Sequence, residues 1–281
     1  MVEVGKYNEL KVLRFVDFGV YLDDGEAGIL LPKRYVHDDT EIGEVLKVFV
    51  YHDGDERLIA TTELPAAEVG DIVKLKVKDV TPQGAFLDWG VMKDLFVPKS
   101  QQLDSMRPQG EYLVKIYIDE QTGRIAATER IEQDLQNNDL TVAEMDPVRL
   151  IVLRRSDIGY VVIINEQHTG VLHHNEIYRS IAVGDKFDGF IKKIYEPDEH
   201  NKKCRIDVVA GKMGYDRVED EADKILRLLK EHEGRLAFHD KSAPEDVYEF
   251  FGMSKKTFKM TLGKLYREKK ILLEKDGFSL V

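Results

Sequence analysis

The chain has 281 residues, 33% of them charged, a net charge of −11 and one cysteine, Cys204. That length admits two or more small domains with cores of their own, and no apolar run approaches the roughly 20 residues of a membrane span. A lone cysteine excludes an internal disulfide and a multi-cysteine zinc site, as suits a reducing cytoplasm, and the opening MVEVGKYNEL lacks the basic-then-apolar order of a secretion signal.

The stretch VDFGVYLDDGEAGILLP (16–32) returns as VTPQGAFLDWGVMKDLFVP (80–98) and as SDIGYVVIINEQHTGVLHHN (156–175). Gly19, Gly84 and Gly159 mark the three copies at intervals of 65 and 75 residues, which identifies an internal repeat. The first copy divides into ELKVLRFV, GVYLDD, GILLP, EVLKVFVYH and RLIATTE. In the second, IVKLKVKDV alternates Val73, Leu75 and Val77 with Lys74, Lys76 and Lys78, the period of a strand with one buried face. Its closing RIAAT nearly repeats the RLIAT of the first copy. Short strands joined by short turns in each copy predict a small five-stranded barrel. A glycine within such a strand marks a tight bend or a close backbone approach, and Gly28 and Gly170 are expected at the turn into the third strand, with Asp94 in that place in the second copy.

DFGVYL…GILLP and PQGAFLD…DLFVP resemble the S1-type RNA-binding domain, an OB-fold variant, over roughly residues 5–210. In that family an aromatic precedes the bend glycine and a second lies two residues after it. A His ends the Gly-apolar-apolar motif, and an Asp and an Arg flank the last turn. Carried over, the resemblance implies RNA-binding roles for Phe18, Tyr21 and Arg57 (with Asp53) in the first copy, where Leu31 stands at the His position. In the second it implies Phe86 and Arg124 (with Asp119), Gln83 and Val97 being departures. The third retains His173, with Asp198 and Arg205, but has Ile158 and Val161 in place of both aromatics. An exposed ring stacks a base without needing net positive charge, so an acidic chain is no obstacle, and an Arg beside the ring supplies a phosphate contact or a second stacking plane. The competing reading makes these rings core residues, and Trp89 is read as packing. The paired cations Arg154-Arg155, Lys192-Lys193 and Lys202-Lys203 point to a phosphate-tracking surface on the third barrel.

Residues 131–147 are polar and read as a short helix and linker. Beyond VVAGKMGYD the period becomes helical: Val218, Ala222, Ile225 and Leu229 share a face that Gly234 closes. Ser242 with Glu245 predicts a capping box for a second helix with Val247, Phe250 and Phe251 inward, ended by Gly252. Ser254 caps a third whose inward stripe is Phe258, Leu262 and Leu265, and ILLEKDGFSLV reads as a hairpin. Helices followed by a hairpin suggest a winged helix-turn-helix. Residues 1–130 carry −8 and 131–214 carry −3, whereas 215–281 balance; within the latter, 253–270 holds seven basic residues against one acid. On a helical wheel Lys256, Lys259, Arg267 and Lys270 gather opposite Phe258, the side from which such folds meet nucleic acid. An ordinary solvated face is the alternative.

The predicted fold is mainly β with a small α+β C-terminal domain: barrels over 1–64, 65–130 and 145–211, then a winged helix over 215–281. This order resembles the bacterial conserved virulence factor B family, which implies a cytoplasmic post-transcriptional regulator. No phosphate loop, HExxH or GxSxG appears, no carboxylate pair forms a recognisable acid/base arrangement, and no enzyme, metal or cofactor is expected. The partner expected is RNA, single strands favoured. The alternative is a DNA-binding transcription regulator whose winged helix reads duplex while the barrels bind partners; a ribosome-associated role is a third. No membrane partner is expected, and the sequence leaves the oligomeric state open.

Overall fold

The computed structural model describes all residues except Met1, Glu56, 178–179, 199–201 and 212–213, and describes no side chain at 175 or 214–220. Two compact units result, Met1–Asp134 and Leu135–Val281. In the first unit, β1 (Tyr7–Val16), β2 (Gly19–Leu22), β3 (Ile29–Pro32), β4 (Val45–His52) and β5 (Leu58–Thr61) form a closed barrel in the order β1-β2-β3-β5-β4. The second repeat supplies β6 (Ile72–Thr81), β7 (Gly84–Asp88), β8 (Leu95–Pro98), β9 (Glu111–Ile118) and β10 (Ile125–Thr128). Its sheet has the equivalent order β10-β9-β6-β7-β8 but does not close into a hydrogen-bonded ring.

Each long first strand serves both halves of its sheet, β1 pairing with β2 and β4, and β6 with β7 and β9. An irregularity lies at the same point in both, between Val12 and Arg14 and between Val77 and Asp79, where the extra residue coils the strand. The bend glycines are required by close approach. A Cβ on Gly19 or Gly84 would run into the carbonyl oxygen of Leu31 or Val97 on the next strand.

Interior residues follow the period of two: Val12, Val20, Leu22, Ile29, Leu31 and Val48 fill the first barrel. β4 departs from it, with Val48, Phe49, Val50 and Tyr51 all buried. Val48 and Val50 point into their own barrel, while Phe49 and Tyr51 join the core of the second. Phe49 meets Trp89 edge-on at 5.5 Å between ring centroids and lies 6.2 Å from Tyr51. Backbone bonds reinforce the junction, Gly5 N–H donating to Val50 O at 2.7 Å and Val69 N–H to Gly5 O at 2.9 Å. The first two barrels are thus welded through a shared aromatic core. Trp89 packs as the sequence suggested, its indole N–H donating to Lys93 O at 2.6 Å.

The second unit opens with β11 (Pro147–Ser156), β12 (Gly159–Ile164), β13 (His168–His173), β14 (Lys186–Tyr195) and β15 (Arg205–Ala210), again a closed barrel. The bulge recurs between Val152 and Arg154, and a Cβ on Gly159 would strike Leu172 O. Two expectations are corrected here. Gly170 lies within β13 opposite Val162, and the turn into that strand is made by Asn165 and Glu166 at φ 48° and 60°. The segment after Asp134 is not a loose linker: Asn137 is buried and its amide donates to Thr169 O and Cys204 O, while His168 Nδ1 lies 2.6 Å from Gln136 O. A polar strap that satisfies buried strand-edge carbonyls looks, in sequence, like a solvated connector.

The C-terminal domain comprises α1 (Gly214–Glu231), β16 (Arg235–Leu236), α2 (Pro244–Phe251), α3 (Lys255–Arg267), β17 (Ile271–Glu274) and β18 (Gly277–Leu280). Ala222, Ile225 and Leu229 are buried as predicted; the Val218 side chain falls outside the described residues. Helix α1 begins at Gly214, a few residues after β15 ends at Ala210. Ser242 does not cap α2. Ala243 is the N-cap with Pro244 at the first turn, and Ser242 Oγ instead accepts from His239 N–H. Gly252 closes α2 at φ 64°, and Ser254 caps α3 by accepting from Thr257 N–H at 3.1 Å. Sheet order β16-β18-β17 completes the wing.

Candidate nucleic-acid interface

The outward surface of each barrel is set by cross-strand register. In the first, Arg14 on β1 faces Tyr21 on β2, which faces Leu30 on β3. The Arg14 guanidinium covers one side of the Tyr21 ring, 4.3 Å from its centroid. Phe18 stands beside it at 6.5 Å, edge-on and 57% exposed. Arg57 is also exposed and its guanidinium grips Asp53 and Asp55 at 3.0 and 2.8 Å. Burial works to raise the Asp53 carboxyl, but hydrogen bonds from the Arg57 amide and guanidinium and the Asp55 amide outweigh it and hold the pKa below the usual range. The structure therefore brings Phe18, Tyr21 and Arg57 together, and adds Arg14, which belongs to no sequence motif.

The second barrel places Phe86 opposite Phe96, ring centroids 5.0 Å apart, with Asp79 in the position of Arg14. Arg124 follows the turn that Asp119 organises. Backbone and hydroxyl hydrogen bonds from Thr122, then the Gln121 amide, hold the Asp119 carboxyl below its ordinary pKa. Register also corrects the motif alignment. Gly19, Gly84 and Gly159 pair with Pro32, Pro98 and His173, so the counterparts of His173 are the two prolines, whereas Leu31 and Val97 are core residues. Motif reasoning misses Phe96, although the alternation of buried Leu95 and Val97 around it is visible in the sequence.

In the third barrel Arg154 faces Val161 and Val161 faces Val171, so the aromatic pair is absent there. His173 Nε2 lies 3.0 Å from Asp207 Oδ1, and the Tyr195 hydroxyl donates to the other oxygen of Asp207 at 3.3 Å. Tyr195 pairs with Arg205, and the cations of Lys193 and Arg205 lie 4.9 and 5.3 Å from its ring centroid. A ring thus does occupy this surface, supplied by β14. Lys192 is exposed and bound to Glu176 at 2.7 Å; that hydrogen bond raises its pKa against a small opposing effect of burial.

In the winged helix, Lys256, Lys259 and Arg267 are exposed on α3 around Gly263, whose Cα side faces open space. Lys270 is not on the helix. It lies beyond the end of α3 in the turn into β17, bound to Glu268 at 2.9 Å; a helical wheel extended to residue 270 runs past the true terminus. Lys264, one of the seven basic residues of the patch, is buried. Exposed Met260 and Tyr266 share the α3 surface.

A sequence profile of the S1 domain matches residues 4–63 and 69–129, and one of the CvfB-like winged helix domain matches 223–280. A protein named conserved virulence factor B from Staphylococcus epidermidis is 31% identical over 260 residues, covering 87% of this chain and 85% of its own. The chain belongs to the conserved virulence factor B family. A Staphylococcus aureus member is 30% identical over 86% of the chain and 83% of its own length, and the uncharacterized YitL of Bacillus subtilis is 28% identical over 96% and 91%. Among solved structures, a multidomain protein with nucleic acid binding domains from Streptococcus pneumoniae aligns over 99% of the chain and 98% of its own at 21% identity, with a TM-score of 0.43. S1 and winged-helix domains together support nucleic-acid binding, and none of the matched domains is enzymatic. Within this family member the S1 profile stops at the second barrel; the third is S1-like by topology. Among the described residues, no helix is long and apolar enough to cross a membrane.

Proposed function

We propose that the protein binds single-stranded RNA across the outward faces of its barrels and the basic side of α3, and acts in the cytoplasm as a post-transcriptional regulator. The observation that carries this reading is the recurrence of aromatic rings on the same barrel surface, beside an arginine of the last turn: Phe18 and Tyr21 near Arg57, Phe86 and Phe96 in the barrel of Arg124, and Tyr195 paired with Arg205. Rings with a cation alongside suit unstacked bases, which a duplex does not offer. The staphylococcal relatives are named conserved virulence factor B, which supports a role in virulence. Arg154, His173 and Lys192 extend the surface on the third barrel, and Lys256, Lys259, Arg267 and Lys270 extend it on the winged helix. Few residues separate β15 from α1, so the third barrel and winged helix raise each other's effective concentration on one strand.

Affinities of the full chain for single-stranded RNA, duplex RNA and duplex DNA at one salt concentration test the proposal. Single-stranded RNA is expected to bind tightest. A preference for duplex DNA would replace it with the transcription-regulator reading, in which α3 reads a groove.

A further inference from the structure

The sheet of the winged helix has two edges, and they are built differently. β16 is two residues long and exposes Arg235, whereas β17 offers four residues, Ile271–Glu274, with no further strand beside it among the described residues. Exposed edges are ordinarily blunted by a proline, a bulge or a charge in mid-strand. β17 has none of these. Its pairing with β18 is regular from Ile271 opposite Leu280 to Glu274 opposite Gly277. The middle of the edge is Leu272-Leu273, 52% and 51% exposed, and its charges, Lys270 and Glu274, stand only at the ends.

Register decides which backbone groups face outward. Val281 N–H donates to Lys270 O at 3.3 Å, so residue 270 turns its polar groups toward β18. Along an antiparallel ladder the direction alternates. Leu272 and Glu274 therefore also turn toward β18, while Ile271 and Leu273 direct N–H and C=O to the open edge. A second copy laid antiparallel along that edge, with a twofold axis at Leu272, opposes each Ile271 to the other copy's Leu273. All four outward N–H groups then find a carbonyl. Side chains two apart share a face, so the same register sets Leu272 against its counterpart and Lys270 against Glu274 on either side. Lys270 is already bound to Glu268 at 2.9 Å and Glu274 to Arg235 at 2.8 Å, so each would sit between two groups of opposite sign. An axis moved to Leu273 would instead set Leu272 against Glu274.

We infer that β17 is a self-association edge, through which two copies of this chain pair antiparallel about Leu272 and join their three-stranded sheets into one. The contact is isologous, the same four residues serving both sides. The chain's net charge of −11 does not oppose it locally, because residues 215–281 balance. Four residues a side fall short of the roughly 1,200–2,000 Å² of a stable interface, so the dimer is weak and forms at high local concentration. The inference does not rest on the nucleic-acid reading. Where that reading holds, the dimer offers one strand two winged helices and gains avidity.

Sedimentation of the full-length protein without nucleic acid, from about 10 μM to about 1 mM, covers the range of such an association. The average mass is expected to rise toward two copies in the parent and to stay at one in Leu272→Lys, which places two further cations at the axis. Leu272→Cys and Leu273→Cys are then compared under mild oxidation. The two positions are matched in exposure, and Cys204 is buried. Across the twofold axis the Leu272 Cα atoms lie ~4.5 Å apart, within disulfide reach, and those of Leu273 roughly 8–9 Å apart, beyond it. Leu272→Cys should therefore form covalent dimer about tenfold faster than Leu273→Cys, whose dimer arises only by random collision. Equal rates, a constant mass in the parent, or association undiminished in Leu272→Lys would each overturn the pairing and leave the proposed function untouched. A parent that stays monomeric while Leu272→Lys changes RNA affinity would assign the leucines to nucleic acid, which also overturns it.

Discussion

Phe18 offers the sharpest test of the barrel face, because its two readings predict opposite outcomes for folding and for binding. The ring is 57% exposed and touches Tyr21 edge-on, while the other side of Tyr21 is taken by Arg14. Phe18 is therefore the ring on which a base has room to stack. Full burial of a Phe is worth about 1.5–3 kcal/mol, so truncating one less than half covered costs about 1 kcal/mol of folding stability or less. Leu31, fully buried in the same barrel, is the internal control; Leu31→Ala is expected to cost about 2–5 kcal/mol. Removing a base stack weakens binding by about 1–3 kcal/mol, or about 5- to 150-fold in affinity. Phe18→Ala and Leu31→Ala are compared by chemical denaturation and by fluorescence anisotropy with a labelled single-stranded RNA. The expected pattern is a binding defect with near-normal stability for Phe18→Ala, and the reverse emphasis for Leu31→Ala. If Phe18→Ala kept full RNA affinity while losing as much stability as Leu31→Ala, the ring would be a core residue and the stacking argument would fail.

Gly84→Ala should destabilise the second barrel by about 1–3 kcal/mol, because the new Cβ meets Val97 O and the Phe96 ring, while Gly54→Ala, with open space around it, should stay within about 0.5 kcal/mol; denaturant midpoints decide. Asp53 has a depressed folded pKa, so its contribution is present above the unfolded value of about 3.9 and fades as pH falls through the folded one. Asp53→Asn should accordingly be less stable than the parent at neutral pH, with the gap closing in acid; a gap constant from neutral to strongly acidic pH would contradict this. Reversing Lys256, Lys259, Arg267 and Lys270 to Glu should lower affinity across many RNA sequences and flatten the salt slope by about 0.7 for each phosphate left without its cation. Because Lys259 lies 4.0 Å from Asp240 and Lys270 is bound to Glu268, Lys256 and Arg267 are expected to account for most of that change in single-residue reversals.

What the sequence disclosed, and what it withheld, follows from which interactions are local. The bend glycines were legible because a close approach permits no side chain, and three copies repeat that demand at Gly19, Gly84 and Gly159. Alternating Leu75, Val77 and the lysines between them made β6 readable for the same reason: a strand's two faces are written into neighbouring residues. Register across strands is not so written. Only the pairing of Gly84 with Pro98 reveals that Phe96, not Val97, shares the outer face with Phe86. A shift by one residue exchanges the two faces of a strand, so a motif aligned one place off turns a surface aromatic into an assumed core residue and a core valine into an assumed site residue.

Tyr195 was hidden for a different reason, and it changes how the third barrel is understood. In the first two barrels the residue opposite the last-turn arginine is an aspartate, Asp53 N–H donating to Arg57 O and Asp119 N–H to Arg124 O. In the third barrel the partner of Arg205 is Tyr195. A search for the missing aromatics on β12 finds only Val161, because the ring has moved to β14, where no motif looks for it. This exchange reshapes the electrostatics of the face. Asp53 engages the guanidinium of Arg57, whereas Tyr195 offers Arg205 and Lys193 a neutral ring and directs its hydroxyl to Asp207, beside His173. Arg205 still meets Asp198 at 3.5 Å, and Lys193 adds a second cation over the same ring. A surface that sequence reasoning reduced to phosphate tracking therefore presents an aromatic ring as well. Tyr195→Ala should weaken single-stranded RNA binding by about 1–3 kcal/mol, whereas Tyr195→Phe, which keeps the ring and loses only the bond to Asp207, should restore most of it. Equal defects in the two variants, measured by anisotropy on the full-length protein, would assign Tyr195 to the Asp207 network and leave the third barrel without a stacking ring.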